Sequence, residues 1–409
     1  MTKAVVTGAG IIGSAVALKL RQSGLDVTLI DAPPSHGKCA SWGNAGHIAV
    51  EQVAPIASMA TVLGAPRRLL SPHGALSLPL NAIDAWLPFS IRLLKAAQPK
   101  SFERGSRALA LLLAEAVPAW KRFTESLCAP ELMRGDGHFI VWNSAKSAAA
   151  GRQHWMESDT GTASIRDASE EEMEALQALS AKKIEGAVRC IGSGQISDPA
   201  ALFAKLESAF SAAGITRLNG KVRALQREDD TARILLDNEV ITADVIVVAA
   251  GFGSRALLET AGHKVPMIAE RGYHVQYEAQ AWPQMMPPVV FEDYATIVTR
   301  FASSLRAASF VEFGKENLPA DPAKWRRITR TVRDLGLKAG AETSQWVGSR
   351  PTLPDYLPAI GKSRAAANLF YAFGHNHLGL TLGPLTAERI ASMVTGQSQS
   401  CPAFDIERF

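Results

Sequence analysis

The chain opens on residues that admit few folds. A short strand run, Lys3–Thr7, leads at once into Gly8-Ala9-Gly10-Ile11-Ile12-Gly13. Residues 11–21 are amphipathic, Gly24 punctuates them, and a second strand run at 26–30 closes on Asp31. Strand, glycine turn, helix and acid-tipped strand in this order form a dinucleotide-binding unit. Gly8 permits the tight turn, Gly10 lets backbone approach a pyrophosphate, and Gly13 lets helix and strand pack closely. The helix N-terminus offers its N–H groups to the phosphates. Asp31 is placed to accept the hydroxyls of an adenosine ribose.

With 409 residues the chain can hold two domains and a large core. Basic and acidic residues nearly balance, 43 against 39, and no long basic run occurs, so nucleic acid is not an expected partner. Cys39, Cys128, Cys190 and Cys401 are isolated, which argues against a zinc site or disulfide framework and fits a reducing, cytoplasmic compartment. A strand at Lys3–Thr7 leaves no room for a signal peptide before it, and no apolar run reaches the roughly 18 residues of a membrane span. Residues 53–97 are rich in Leu, Pro, Ala and Trp and poor in acids. The helical run at 87–95 within them reads as a helix packed on the body of the protein. The other reading is an interfacial helix resting on an anionic membrane face.

Further along, residues 32–41 read as a loop with two prolines, 45–50 as helical, and 102–127 as one long helix. A strand is expected at 137–142, helices at 147–156 and 169–179, and a strand at 187–191. Asp198-Pro199 reads as the N-cap and first turn of a helix over 200–213. Residues 222–227, 231–236 and 239–241 suggest a small meander. The run from Asp244 to Gly251 has the continuous apolar character of a central parallel strand. Strands of a second sheet are expected at 267–278, 296–300 and 305–313, then a helix at 322–335. A last strand at 370–373, a glycine-punctuated loop at 374–383 and a terminal helix at 384–395 complete the reading. Nucleotide-binding elements at the start, middle and end imply that a second domain is inserted into the first, with the cofactor where they meet.

These motifs resemble a known family, the flavin-dependent amino acid dehydrogenases and oxidases related to D-amino-acid dehydrogenase and glycine oxidase. The match rests on residues 8–31, on Cys39-Ala40-Ser41-Trp42-Gly43-Asn44-Ala45-Gly46-His47, on 243–251 with the following Phe-Gly-Ser, on Arg271-Gly272-Tyr273, and on Gly348-Ser349-Arg350-Pro351 through Gly361 and 374–383. Order and spacing agree over the whole length. The resemblance implies an α/β chain, α+β overall: a Rossmann-type FAD-binding domain at 1–55, 180–265 and 346–409, with an inserted mixed-sheet substrate domain at 56–179 and 266–345. It implies FAD rather than NAD. Asp31 stands where glutamate is common, and His47 where many relatives carry glutamine. No cysteine lies near 374–383, and His47 is not where flavin-linking histidines usually occur, so FAD is expected to be noncovalent.

The resemblance also implies site residues. Gly8, Gly10, Ile11, Ile12, Gly13 and Asp31 would hold the nucleotide, with Val222, Ala250 and Gly251 closing on it. Ser41, Asn44, Ala45, Gly46 and His47 would lie beside the flavin, Ser41 and Asn44 donating hydrogen bonds. For His47 a bond to the ring and plain helix packing both stay open. Gly374, His375, Leu378, Gly379, Leu380 and Thr381 would line the ring, with the helix from Pro384 aiming its positive end at it. Arg350 carries the planar fork that matches a carboxylate and is expected to hold the substrate, though a strand-end salt bridge is the plainer reading. Tyr273 is expected to face the substrate, with a core tyrosine whose hydroxyl is satisfied as the alternative, and His274 to face the opposite side. His377 and Asn376 are expected near substrate. His375 and His377 lack a third ligand, so no metal is expected. Cys39 reads as a packed thiol and Arg300 as a surface charge. The implied reaction is oxidation of a D-amino acid or a cyclic imino acid such as D-proline or hydroxy-D-proline. Electrons would pass to a quinone or carrier, with an oxygen-using oxidase or a partner-dependent flavin subunit as alternatives.

Overall fold

The structure is a computed structural model that describes residues 1–32, 39–71, 73–237, 239–279 and 281–409. The two prolines of the expected loop, Pro33 and Pro34, lie outside the described residues.

β1 (Lys3–Thr7) sits inside a six-stranded sheet whose order is 216–219, 26–31, 3–7, 245–248, 369–373, 359–362. All neighbours are parallel except the last pair. Val245–Val248 is buried along its whole length, as its unbroken apolar run requires between two covered faces. α1 (Ile11–Gln22) follows the glycine turn, and β2 (Asp26–Asp31) returns beside β1. α1 buries Ile11, Ala15 and Leu18 against Leu382, Leu385 and Ile390 of the C-terminal helix Gly379–Val394. Its cap, Gly10, makes no side-chain capping bond and its first turn has no acid, while Lys19 and Arg21 suit the negative end of the dipole. The meander Val222–Glu228, Thr231–Leu236, Glu239–Ile241 forms as expected. So does the helix Pro199–Ala213, where Asp198 accepts from the N–H of Ala200 at 2.7 Å.

The second body is a nine-stranded mixed sheet running 342–352, 268–277, 305–314, 296–300, 289–291, 138–142, 186–191, 164–167, with 76–77 paired to 305–314. The helix Pro322–Asp334 covers one face. Two helices from the 53–97 segment lie over this body: α2 (Met59–Leu70) and α3 (Ile83–Ala96).

Several expectations change. The single helix at 102–127 is two helices, Pro99–Ala114 and Ala116–Ser126. Pro118 has no N–H to give the Ala114 carbonyl, and the chain tightens at Glu115, whose N–H reaches Leu112 O. Residues 45–50 are not helical. Gly46 has φ of +77°, and His47–Ile48 is a short strand paired with Gly194–Ile196. The terminal helix starts at Gly379, not Pro384, so half of the expected loop is helix. The strand Glu342–Thr352 carries no alternation to announce it, being interrupted by Gly348 and Pro351. It is a sheet edge, where proline is tolerated. The boundaries expected at 180 and 346 also move. Gly186–Ile191 and the whole of Glu342–Thr352 hydrogen-bond into the larger sheet.

Candidate active site

At the nucleotide end, Gly8 has φ of +96°, and a Cβ there would stand 2.5 Å from Ala249 O. A Cβ on Gly13 would stand 1.8 Å from Gly8 O. Gly10 differs, since its Cβ would meet only Ser41 Oγ, at 3.4 Å. The space over the helix N-terminus is therefore open while its flanks are closed. Ser41 Oγ accepts from Ile11 N–H at 3.2 Å, tying the 39–46 turn to that N-terminus, with Ile12 and Gly13 next in the same first turn. Asp31 ends β2 beside this turn, and Gly8 N–H donates to Ile30 O at 2.7 Å. Gly251, with φ of +57° and nothing near its missing Cβ, follows Ala250 at the end of the neighbouring strand. Val222 is half-buried at the start of the meander. A helix N-terminus that begins on glycine, glycine walls and an acid at the second strand fit a dinucleotide such as FAD.

At the other end, Arg350 lies opposite Glu270 on adjacent strands. Its Nη1 donates to Glu270 Oε1 at 3.1 Å and to Phe310 O at 3.3 Å. The guanidinium lies across Gly272, where a Cβ would come within 2.4 Å of Nη2. Glu270 is buried, and its second oxygen accepts from Tyr356 Oη at 2.9 Å and Thr352 Oγ1 at 3.2 Å. Burial and the Glu270 charge push the Tyr356 phenol well above its ordinary range, so it stays a donor. One edge of Arg350 is thus fixed, while its side chain remains 27% exposed. A fork oriented by a buried acid yet open on one side can receive a second carboxylate.

His377 lies close to Arg350. Burial and the Arg350 charge lower it to about 3, so the imidazole is neutral. Its Nε2 is 2.5 Å from Gln52 Oε1, and its buried Nδ1 has no partner among the described residues. Asn376 shapes the loop instead: with φ of +44°, it donates to Tyr356 O at 2.9 Å and accepts from Leu378 N–H at 3.3 Å. His375 pairs with Thr386 Oγ1, and Leu378 N–H donates to His375 O. Gly374 turns with φ of +75°, and Gly379 starts the helix. Ala49 N–H donates to Thr381 Oγ1 at 3.0 Å, and the Trp120 indole donates to Leu380 O, which locks this end to the body.

Tyr273 is a correction. It lies on the opposite face of its strand from Arg350, buried, with its hydroxyl on Glu312 Oε1 at 3.2 Å. Arg271 and Lys324 hold the same Glu312. A register shift between Arg271 and Tyr273 accompanies this arrangement. It is His274 that faces the 39–47 turn: Nδ1 is 3.1 Å from Gly43 O, and the ring stacks on Trp346 at 5.0 Å. A Cβ on Gly43 or on Gly348 would enter the Trp346 ring at 2.2 and 2.1 Å. Asn44 Oδ1 accepts from Gly46 N–H at 2.8 Å, and Arg306 donates to Trp42 O and Asn44 O around Ala45. Arg300 donates to nearby carbonyls of Trp282 and Ala302.

His47 joins a group the sequence did not reveal. Its Nε2 is 3.8 Å from Glu51 Oε1, its ring packs edge-on to His138 at 4.4 Å, and Gln195 lies opposite it on the paired strand. The ligand atoms of His47, Glu51 and His138 lie within 4.8 Å of one another. Burial lowers His47 to about 4 and holds His138 well below its usual range. It pushes Glu51 up to about 7. Between about pH 4 and about pH 7 the group is uncharged.

Glu51 gives a pH prediction. Its folded pKa lies above its ordinary value of 4.5, so the folded state binds the extra proton between pH 4.5 and about 7. Its contribution is fully present below that window and is lost as pH rises through it. Glu51→Gln should therefore leave stability near pH 4.5 little changed and raise it above pH 7 by roughly 3 kcal/mol. Thermal unfolding of both proteins at pH 5 and pH 8 checks this, and an equal difference at the two pH values contradicts it.

The profile of the FAD dependent oxidoreductase family matches residues 3–393. The chain belongs to that family. A D-amino-acid oxidase from Bradyrhizobium diazoefficiens is 28% identical over 413 residues, covering 97% of this chain and 96% of the relative. Among solved structures, iminodiacetate oxidase from Chelativorans sp. BNC1 has a TM-score of 0.72 at 19% identity, with 98% of each chain covered. Glycine oxidase from Geobacillus kaustophilus has a TM-score of 0.72 at 18% identity, with 100% of each covered. The oxidoreductase thus shares its whole fold with flavoenzymes, and its dinucleotide is FAD. Glu270, Tyr356 and Trp346 were not legible as site residues. Glu270 sits in a strand that also carries Arg271, His274 and Gln276, so its acid did not stand out.

Proposed function

We propose that this oxidoreductase oxidises the α-carbon of a D-amino acid or of a cyclic imino acid such as D-proline or hydroxy-D-proline. The supporting observation is Arg350, held on one edge by buried Glu270 and open on the other. The D-amino-acid oxidase relative supports the amino acid class. Bound FAD supplies the acceptor for the hydride that leaves the α-carbon. Arg350 binds the carboxylate and fixes which hydrogen points toward the flavin. Neutral His377 beside it places no second positive charge against the substrate nitrogen, which has to be neutral as the hydride leaves. A primary amine would give an imine that hydrolyses to a 2-oxo acid and ammonia, and a cyclic substrate a pyrroline carboxylate.

FAD is held noncovalently in this reading, supported by the lack of a cysteine near residues 374–383 and by the position of His47. The electrons pass to a quinone or a carrier protein. The four cysteines form no disulfide and suit a reducing compartment, so the protein is proposed to work in the cytoplasm. Names of the relatives favour a second reading, oxygen as acceptor. Turnover of D- and L-proline, the hydroxyprolines, D-alanine, glycine and sarcosine, measured in parallel with oxygen and with a soluble quinone, separates the two. The proposal expects the cyclic D-substrates and the quinone to be fastest. Turnover confined to L-substrates overturns the substrate assignment, and equal rates with oxygen overturn the acceptor assignment.

A further inference from the structure

The helices over the second body leave an unusual surface. α2 buries none of its residues, and Leu63 and Leu70 are 75% and 85% exposed. On α3, Ile83, Leu87, Ile91 and Leu94 recur at helical spacing on one face and are all exposed, with Leu80 just before them. The opposite face of α3 buries Phe89 and Leu93 in a small core that also takes Val62 of α2. The two helices are therefore neighbours, anchored by their inner faces and apolar on their outer ones. Scattered exposed leucines need no explanation, but a patch of this density on two adjacent helices does.

The charge around the patch has one sign. Residues 59–100 carry Arg67, Arg68, Arg92, Lys95 and Lys100 against a single acid, Asp84. Asp84 is itself paired with Lys315 at 2.7 Å. Among the described residues no helix is long and apolar enough to cross a membrane. Apolar side chains flanked by arginine and lysine on surface helices match the boundary between anionic headgroups and acyl chains. The geometry points to α2 and α3 as a platform that seats this oxidoreductase on the surface of an anionic phospholipid bilayer, Leu63, Leu70, Leu87 and Ile91 inserting and the basic residues meeting the headgroups. This surface is independent of which substrate or acceptor the enzyme uses.

Co-sedimentation of the FAD-loaded protein with vesicles tests it. Binding is expected to vesicles of three parts phosphatidylcholine to one part phosphatidylglycerol. It should weaken at least about tenfold with phosphatidylcholine alone or at high salt. The variant Leu63→Ser/Leu70→Ser/Ile91→Ser should lose at least about tenfold in binding while keeping its flavin spectrum and its turnover with a soluble acceptor. Arg67→Glu/Arg68→Glu should remove the preference for anionic vesicles. Absence of wild-type binding at low salt overturns the proposal, as does equal binding of the triple variant. A stable dimer that the triple variant dissociates would also overturn it, since the face would then belong to a second copy.

Discussion

A Gly10→Val variant should purify as a folded protein that has lost most of its FAD. The missing Cβ of Gly10 would meet only Ser41 Oγ, at 3.4 Å, and the residue's φ of −67° suits any L-amino acid. The protein itself therefore tolerates a side chain there. The new methyls would stand over the N-terminus of α1, where the pyrophosphate needs backbone contact. An intruding group of this size costs a packed contact roughly 1–3 kcal/mol, or about 5- to 150-fold in FAD affinity. Gly13→Val is the contrasting case. Its Cβ would fall 1.8 Å from Gly8 O, so helix and strand must separate and the fold itself suffers. Titrating both apoproteins with FAD, alongside thermal unfolding, distinguishes the two. The account expects lost affinity with near-normal stability for Gly10→Val, and lost stability for Gly13→Val. A Gly10→Val protein that binds FAD normally would remove the phosphate cradle from this turn.

The second large effect belongs to Arg350. Arg350→Leu should stay yellow and lose substrate efficiency by roughly 2–5 kcal/mol, the cost of removing one partner of a buried charge pair. That is about 30- to 5,000-fold in kcat/KM. It should also be less stable, because Glu270 is buried and would keep only the Tyr356 and Thr352 hydroxyls. Glu270→Gln added to Arg350→Leu should therefore recover stability but not turnover. Arg350→Lys keeps the charge and loses the fork, and should fall between. Near-normal kcat/KM in Arg350→Leu would sink the carboxylate assignment, whatever its stability.

Much of the nucleotide half was legible because its signals are local. Gly8, Gly10, Gly13 and Asp31 sit within one strand–helix–strand unit, and the apolar run at 245–248 has a single sensible place. On the other side the sequence pointed to Arg350 and His377, which the structure sets close together, but not to the acid that orients Arg350. Along the 268–277 strand, alternation puts Glu270, Gly272 and His274 on the face that Arg350 and Trp346 share on the neighbouring strand, and Tyr273 on the other. The resemblance put Tyr273 in the site, and alternation counted from it put His274 outside, the reverse of what the strand presents. Glu342–Thr352 hides its strand character because an edge tolerates Gly348 and Pro351. The cluster of His47, Glu51 and His138 joins residues from distant segments, and no local pattern announces such a meeting.

The most direct test of the central claim is anaerobic mixing of the FAD-loaded protein with D-proline and, separately, with pyrrolidine, the same ring without its carboxylate, following the flavin absorbance. The account predicts that D-proline bleaches the flavin and pyrrolidine does not, because Arg350 has nothing to hold in the second case. Bleaching by both at similar rates, or by neither D-proline nor any other amino or imino acid, would contradict it.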